Sequence, residues 1–132
     1  MECIDKLSWL PIKDRKVLFL RTFGKDPLYT VGGKREEGET DEEALVREVT
    51  EEVGVVLKPE TIVFANEFMG VAHGAPTGTM LRIRAYWADY EGELEPASEI
   101  AEMVWLSSKD KELATSAGVT IIEWLKAEGW ID

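Results

Sequence analysis

Hydrophobic positions along the first third of the chain come in short runs broken by turn formers. Leu7 to Ile12 and Val17 to Leu20 predict two strands around a turn at Lys13-Asp14, and Leu28 to Val31 predicts a third that runs into Gly32-Gly33. The period then changes. Leu45, Val49 and Val53 recur every four residues, which predicts a helix over 41–53 with Thr40 or Asp41 as its N-cap and Gly54 as its stop. Beyond it, Thr61 to Val71 and Thr79 to Tyr90 predict an antiparallel hairpin around the loop Gly74-Ala75-Pro76-Thr77-Gly78. Met103 to Leu106 adds a short strand, and a last helix is expected over 117–127, where Val119, Ile122, Trp124 and Leu125 form an apolar face. This order is not a strict βαβ alternation. It predicts an α+β fold, a sandwich in which helices cover a mixed central β-sheet.

At 132 residues the chain has the length of one domain, so a single unit over 1–132 is expected. No apolar run approaches the roughly 20 residues that span a bilayer, and Met1-Glu2-Cys3-Ile4-Asp5-Lys6 lacks the positive start of a secretory signal. The expectation is a cytoplasmic protein without a membrane partner, present as a monomer or homodimer. Cys3 is the only cysteine and builds neither an internal disulfide nor a cysteine zinc cage; a space-filling role in a strand is expected. Trp9, Trp105 and Trp124 sit among apolar residues and belong in the core, leaving Trp87 and Tyr29 as candidates to stack on a base. His73, the only histidine, reads as a turn residue.

Charge changes this picture. The net charge of −11 repels a nucleic-acid backbone, and no basic stripe opposes it, so a nucleic-acid polymer is not an expected partner. The excess is concentrated: residues 33 to 60 hold ten acids against four bases, a segment that is either a solvated helix face or a collector of hard cations. On the predicted helix, Glu48, Glu51 and Glu52 fall in one sector through spacings of three and four, beside the apolar sector of Leu45, Val49 and Val53. Three like charges on one patch cost stability unless a cation neutralises them.

From Gly33 the chain reads glycine, five residues, Glu39, seven residues, then Arg47-Glu48-Val49-Thr50-Glu51-Glu52-Val53-Gly54-Val55. This resembles the Nudix box in every fixed position, over residues 33–55. The resemblance implies a Nudix-type α/β/α sandwich and Mg²⁺-dependent hydrolysis of a diphosphate bond in a nucleoside diphosphate linked to another group, with Mn²⁺ as the alternative ion. It implies that Glu51 and Glu52 are the leading metal ligands, that Glu48 is the third, and that Gly32 and Gly33 let the backbone approach a metal or phosphate closely. Arg47, four residues from both Glu43 and Glu51, would orient a catalytic glutamate, and Glu39 would be its structural partner.

The general base is then either Glu48 in the box or, in the loop before the Met103 strand, Glu99 or Glu102. Arg21 and Lys34 occupy places where MutT-type relatives contact phosphate, whereas Arg35 is expected to face solvent. Arg82 and Arg84 share one strand face, cleft or solvent. The markers of ADP-ribose, dinucleoside polyphosphate and coenzyme A hydrolases are absent; the stretch after the box reads Phe68-Met69-Gly70-Val71. What remains resembles a compact MutT-like pyrophosphohydrolase that converts a nucleoside triphosphate to a monophosphate and pyrophosphate. The asparagine that reads oxidised guanine in that type has no counterpart here, because Asn66, the only asparagine, lies in a strand just after the box. Another nucleoside diphosphate compound, such as a nucleotide sugar, is the alternative substrate, and a non-catalytic nucleotide-binding module the alternative class.

Overall fold

A computed structural model describes residues 3–72 and 75–132. The chain runs through β1 (Cys3–Trp9), β2 (Ile12–Lys13), β3 (Lys16–Thr22), β4 (Tyr29–Lys34), α1 (Asp41–Val53), β5 (Val56–Leu57), β6 (Val63–Val71), β7 (Met80–Trp87), β8 (Tyr90–Glu91), β9 (Ile100–Leu106) and α2 (Ser116–Ala127). The central sheet has the order β2-β3-β4-β1-β7-β6, with β9 along the other side of β3. It is mixed because β1 and β7 pair in parallel while its other pairs are antiparallel.

β3 shows why this sheet holds together. Val17, Leu18, Phe19 and Leu20 are all fully buried, as a central strand covered on both faces requires. Leu18 and Leu20 point to one side, where Leu45, Val49 and Val53 of α1 close a core with Leu7, Trp9 and Val31. Val17 and Phe19 point to the other, where Ile121, Ile122 and Leu125 of α2 close a second core with Leu10, Phe68 and Ile83. One helix per face makes the α/β/α sandwich that the helix and strand order predicted. Gly118 lets α2 approach β3, since a Cβ there would stand 2.8 Å from the Phe19 ring.

α1 begins and ends as its sequence signals require. The Glu43 amide donates to Thr40 Oγ1 (3.2 Å) and the Thr40 amide to the Glu43 carboxylate (2.9 Å), a reciprocal capping box. Gly54 closes the helix at φ 72°.

Several boundaries differ from the sequence reading. The first turn lies at Asp14-Arg15, both with positive φ (51° and 59°), so Lys13 belongs to a strand and the hairpin uses a tight two-residue turn. Arg15 tolerates that backbone because its guanidinium donates to the Gly129 and Ile131 carbonyls and pairs with Asp132. Pro11 follows the end of β1, which instead reaches back to Cys3; there the thiol is exposed, so Cys3 does not fill the core. The hairpin of β6 and β7 forms as expected, but it starts at Val63 after a 3₁₀ turn over Pro59–Thr61, and β8 is separate from β7. Trp9 is fully buried, whereas Trp105 and Trp124 are only partly covered by the cores. The His73 turn reading lies outside the described residues.

Candidate active site

Three tertiary contacts place the acidic end of α1. A helix leaves its last carbonyls without partners; here the Glu95 amide donates to Val53 O (3.1 Å), the Ala97 amide to Glu52 O (3.0 Å) and Ser98 Oγ to Glu51 O (3.1 Å). The loop before β9 is thereby tied to the helix end, and Glu99 follows the last of these contacts. On the opposite side β4 changes partners: Tyr29 and Thr30 pair with β3, whereas Val31 to Lys34 pair with β1. Gly32 lies at this junction with φ 143°, and a Cβ on it would stand 1.9 Å from the Leu7 carbonyl oxygen. No other residue fits. The Gly32 amide donates to Glu52 Oε1 (2.8 Å), and a Cβ on Gly33 would stand 2.4 Å from the Glu48 carboxylate. Two glycines therefore let β4 press against two carboxylates.

The electrostatic consequence is strong. Glu52 is 6% exposed, and burial pushes its carboxyl up to about 8; the Gly32 amide and Lys6 oppose this, while Glu48 and Glu99 add to it. Burial also raises Glu48, against the pull of Arg47 and with further push from Glu51 and Glu99. Glu48, Glu52 and Glu99 thus form one mutually repelling group. Arg47 organises its rim: the guanidinium donates to both oxygens of Glu39 (2.8 Å each), to Glu48 Oε1 (2.9 Å) and to the Lys34 carbonyl (3.1 Å). The hydrogen bond from Arg47, with a second from the Glu36 amide, holds Glu39 down to about 2.

The NUDIX domain family matches residues 9–125, spanning both the sheet and this site. The chain belongs to the Nudix family. Solved structures agree in fold. The E. coli ORF135 protein is 25% identical, with a TM-score of 0.76 over 100% of this chain and 96% of that one. A MutT NUDIX hydrolase from Burkholderia pseudomallei is 18% identical, with a TM-score of 0.77 over 93% and 98%. The E. coli dihydroneopterin triphosphate pyrophosphohydrolase is 22% identical, with a TM-score of 0.72 over 96% of each chain. No curated protein matches by sequence. Nudix membership brings hydrolysis of a diphosphate-containing substrate as the class of activity, with a divalent metal as the usual cofactor.

Against this Nudix site the sequence expectations divide. Arg47 reaches Glu39, Glu48 and Glu51, but not Glu43, whose carboxylate is used at the helix cap. Of the two loop acids, Glu99 lies within the field of Glu48 and Glu52, whereas Glu102 is paired with Arg21 through Nε (2.7 Å). Arg35 does not face open solvent; it pairs with Asp41. Arg82 pairs with Asp5 (2.6 Å), and Arg84 lies 2.9 Å from Asp41 and over the Phe64 ring. Trp87 packs on Trp124 and Trp130, while Tyr29 is hydrogen-bonded to Thr22 and lies within the field of Glu52, Glu99 and Glu48. Lys34 stands at the exposed end of β4.

Sequence reasoning missed Lys6. Burial lowers its amine, Lys34 and Lys25 lower it further, and Glu52 and Glu48 oppose both. A lone lysine between Asp5 and the apolar run from Leu7 was the available signal.

Among the described residues no set of three His, Cys, Asp or Glu side chains closes into a metal cage. Arg47 draws Glu48 to one side, and Glu51 stays 54% exposed. The donors nonetheless suit Mg²⁺, which takes one or two carboxylates together with substrate phosphates and water rather than a full protein cage. Glu52 is a buried carboxylate with neighbours of its own sign and a single amide donor, an environment that a hard cation would relieve. No helix among the described residues is long and apolar enough to cross a membrane.

Proposed function

We propose that this Nudix protein is a Mg²⁺-dependent, MutT-like pyrophosphohydrolase that cleaves a nucleoside triphosphate to a monophosphate and pyrophosphate. The buried Glu52 carboxyl, held by Gly32 in the field of Glu48 and Glu99, carries the reading, because a hard cation can take the place of the proton that burial keeps there. Glu51, Glu52, Glu48 and the Gly32 carbonyl would hold the ion. When bound, Mg²⁺ neutralises phosphate charge and acidifies the attacking water.

The remaining work belongs to the chain. Glu48 is the base candidate in the box, its carboxylate flanked by Arg47 on one side and Gly33 on the other. Glu99 is the base candidate from the loop, since the loop's bonds to α1 hold it beside the box. Lys34 meets the phosphates at the end of β4. A cleft of about 300 Å³ between Phe68, Leu81, Ile83 and the start of α2 gives a base an apolar seat with Ser116 and Thr120 at its rim.

The test is release of pyrophosphate or phosphate from normal and oxidised dNTPs, nucleotide sugars, ADP-ribose and dinucleoside polyphosphates, with Mg²⁺ and with chelator. Triphosphate turnover that chelator removes supports the proposal. Turnover confined to another class replaces the substrate, and tight nucleotide binding without turnover makes the protein a binding module.

A further inference from the structure

All six arginines of the chain are committed to carboxylates: Arg15 to Asp132, Arg21 to Glu102, Arg35 and Arg84 to Asp41, Arg47 to Glu39 and Arg82 to Asp5. A polyphosphate entering this acidic site needs cationic donors, and at each of these guanidiniums it would compete with a carboxylate already in place. The lysines differ. Among the described residues neither Lys6 nor Lys34 has a carboxylate oxygen within 4.0 Å.

Their placement is specific. Lys6 and Lys34 are directly opposed across β1 and β4, which sets their backbones about 5 Å apart with both side chains on one face. The next pairs in the register are Leu7 with Gly33 and Ser8 with Gly32, so the lysines adjoin the glycines that hold Glu48 and Glu52. On its other side Lys6 is opposed by Ile83, a wall of the apolar cleft. Alternation puts the Lys6 side chain on the cleft face of β1, opposite to Leu7, yet within the field of Glu52 and Glu48, and half-buried in a strand whose next four residues are buried.

We propose that Lys6 joins Lys34 as a second lysine on the phosphate chain of the substrate, completing a two-lysine clamp, and is its specificity-determining member because it adjoins the apolar cleft as well as the acidic site. The assignment rests on the pyrophosphohydrolase reading for its substrate, but not for its test. In the free protein Lys6 offsets part of the charge of Glu52 and Glu48; when substrate enters, the ammonium turns to a phosphate oxygen. Its removal therefore weakens phosphate binding without weakening that of the metal.

The experiment is calorimetric binding of inorganic pyrophosphate in the presence of Mg²⁺, and of Mn²⁺ alone, to the wild type, Lys6→Met, Lys6→Arg and Lys34→Met. The expected result is a fall in pyrophosphate affinity of about 10- to 100-fold for each methionine variant, as for a lost charged hydrogen bond. Lys6→Arg should keep most of the affinity, and Lys6→Met should bind Mn²⁺ at least as tightly as the wild type. Pyrophosphate affinity unchanged in Lys6→Met, or lost in step with Mn²⁺ affinity, overturns the clamp, as does a wild type that does not bind pyrophosphate. If Lys6→Met fails to fold, Lys6→Gln decides by the same comparison of pyrophosphate with Mn²⁺. A wild type that binds pyrophosphate through both lysines yet turns over no nucleotide refutes the proposed activity and leaves the clamp standing.

Discussion

Glu52→Gln should stabilise the metal-free protein in alkaline solution while destroying its activity. The unfolded carboxyl ionises near 4.5, whereas burial and the charges of Glu48 and Glu99 hold the folded one near 8. Between these values the folded state carries the extra proton, so stability is full below about pH 4.5 and falls as pH rises through 8. At about 1.4 kcal/mol per pH unit the whole span amounts to roughly 4–5 kcal/mol, a large share of a small domain's stability. Glutamine keeps an oxygen for the Gly32 amide and removes the titration. Urea denaturation in chelator should therefore place the variant within about 1 kcal/mol of wild type at pH 5 and several kcal/mol above it at pH 8.5. Because the other carboxylates are common to both proteins, only the difference between the two profiles is diagnostic. Parallel profiles would refute the argument. Mg²⁺ should then raise the melting temperature of the wild type and leave that of Glu52→Gln nearly unmoved.

Other predictions isolate other parts of the site. Gly33→Ala drives a Cβ into the Glu48 carboxylate, which is the far end of a flexible side chain, so urea midpoints should move little while turnover falls 10-fold or more; unchanged turnover would mean that Glu48 needs no fixed position. Gly32→Ala meets the Leu7 backbone instead and should yield little folded protein by circular dichroism. Arg47→Met releases Glu39 and Glu48 together and should cost about 10- to 100-fold in turnover, measured beside a melting curve that shows the fold is kept. Thr40→Ala removes the helix cap and should cost about 1 kcal/mol in urea titrations with turnover per folded molecule unchanged.

What the sequence made legible was local. The bounds of α1 were readable because a capping box, a four-residue apolar period and a terminal glycine all act within one or two turns. The box residues were readable because their spacing is fixed along one helix. Partners distant in the chain were not. Arg21 and Glu102 looked like separate candidates for phosphate contact and base, since nothing local reveals an ion pair across 81 positions. The tie from residues 95–98 to the end of α1, which brings the loop carrying Glu99 to the helix end, is likewise a product of folding. Cys3 misled because an apolar neighbourhood in sequence marks a strand but does not say where that strand leaves the core.

Local rules also fail in one consistent direction at the site. A helix C-terminus carries partial negative charge and favours cations, yet the last turn of α1 has no basic residue and holds Glu51 and Glu52. Glu48 lies one turn earlier on the same face, and the loop that caps this end brings Glu99 rather than a lysine. Burial, helix dipole and like charge therefore all disfavour Glu52 in its ionised form. A chain selected for stability alone would have removed one of these penalties, as it did for Glu39 by supplying Arg47. Leaving all of them in place creates a site whose free energy falls when a positive ion enters. Arg47 is turned to Glu39 and Glu48 rather than to Glu52, so the buried carboxylate keeps this deficit, and the proposed lysine pair would meet the phosphates that arrive with the ion.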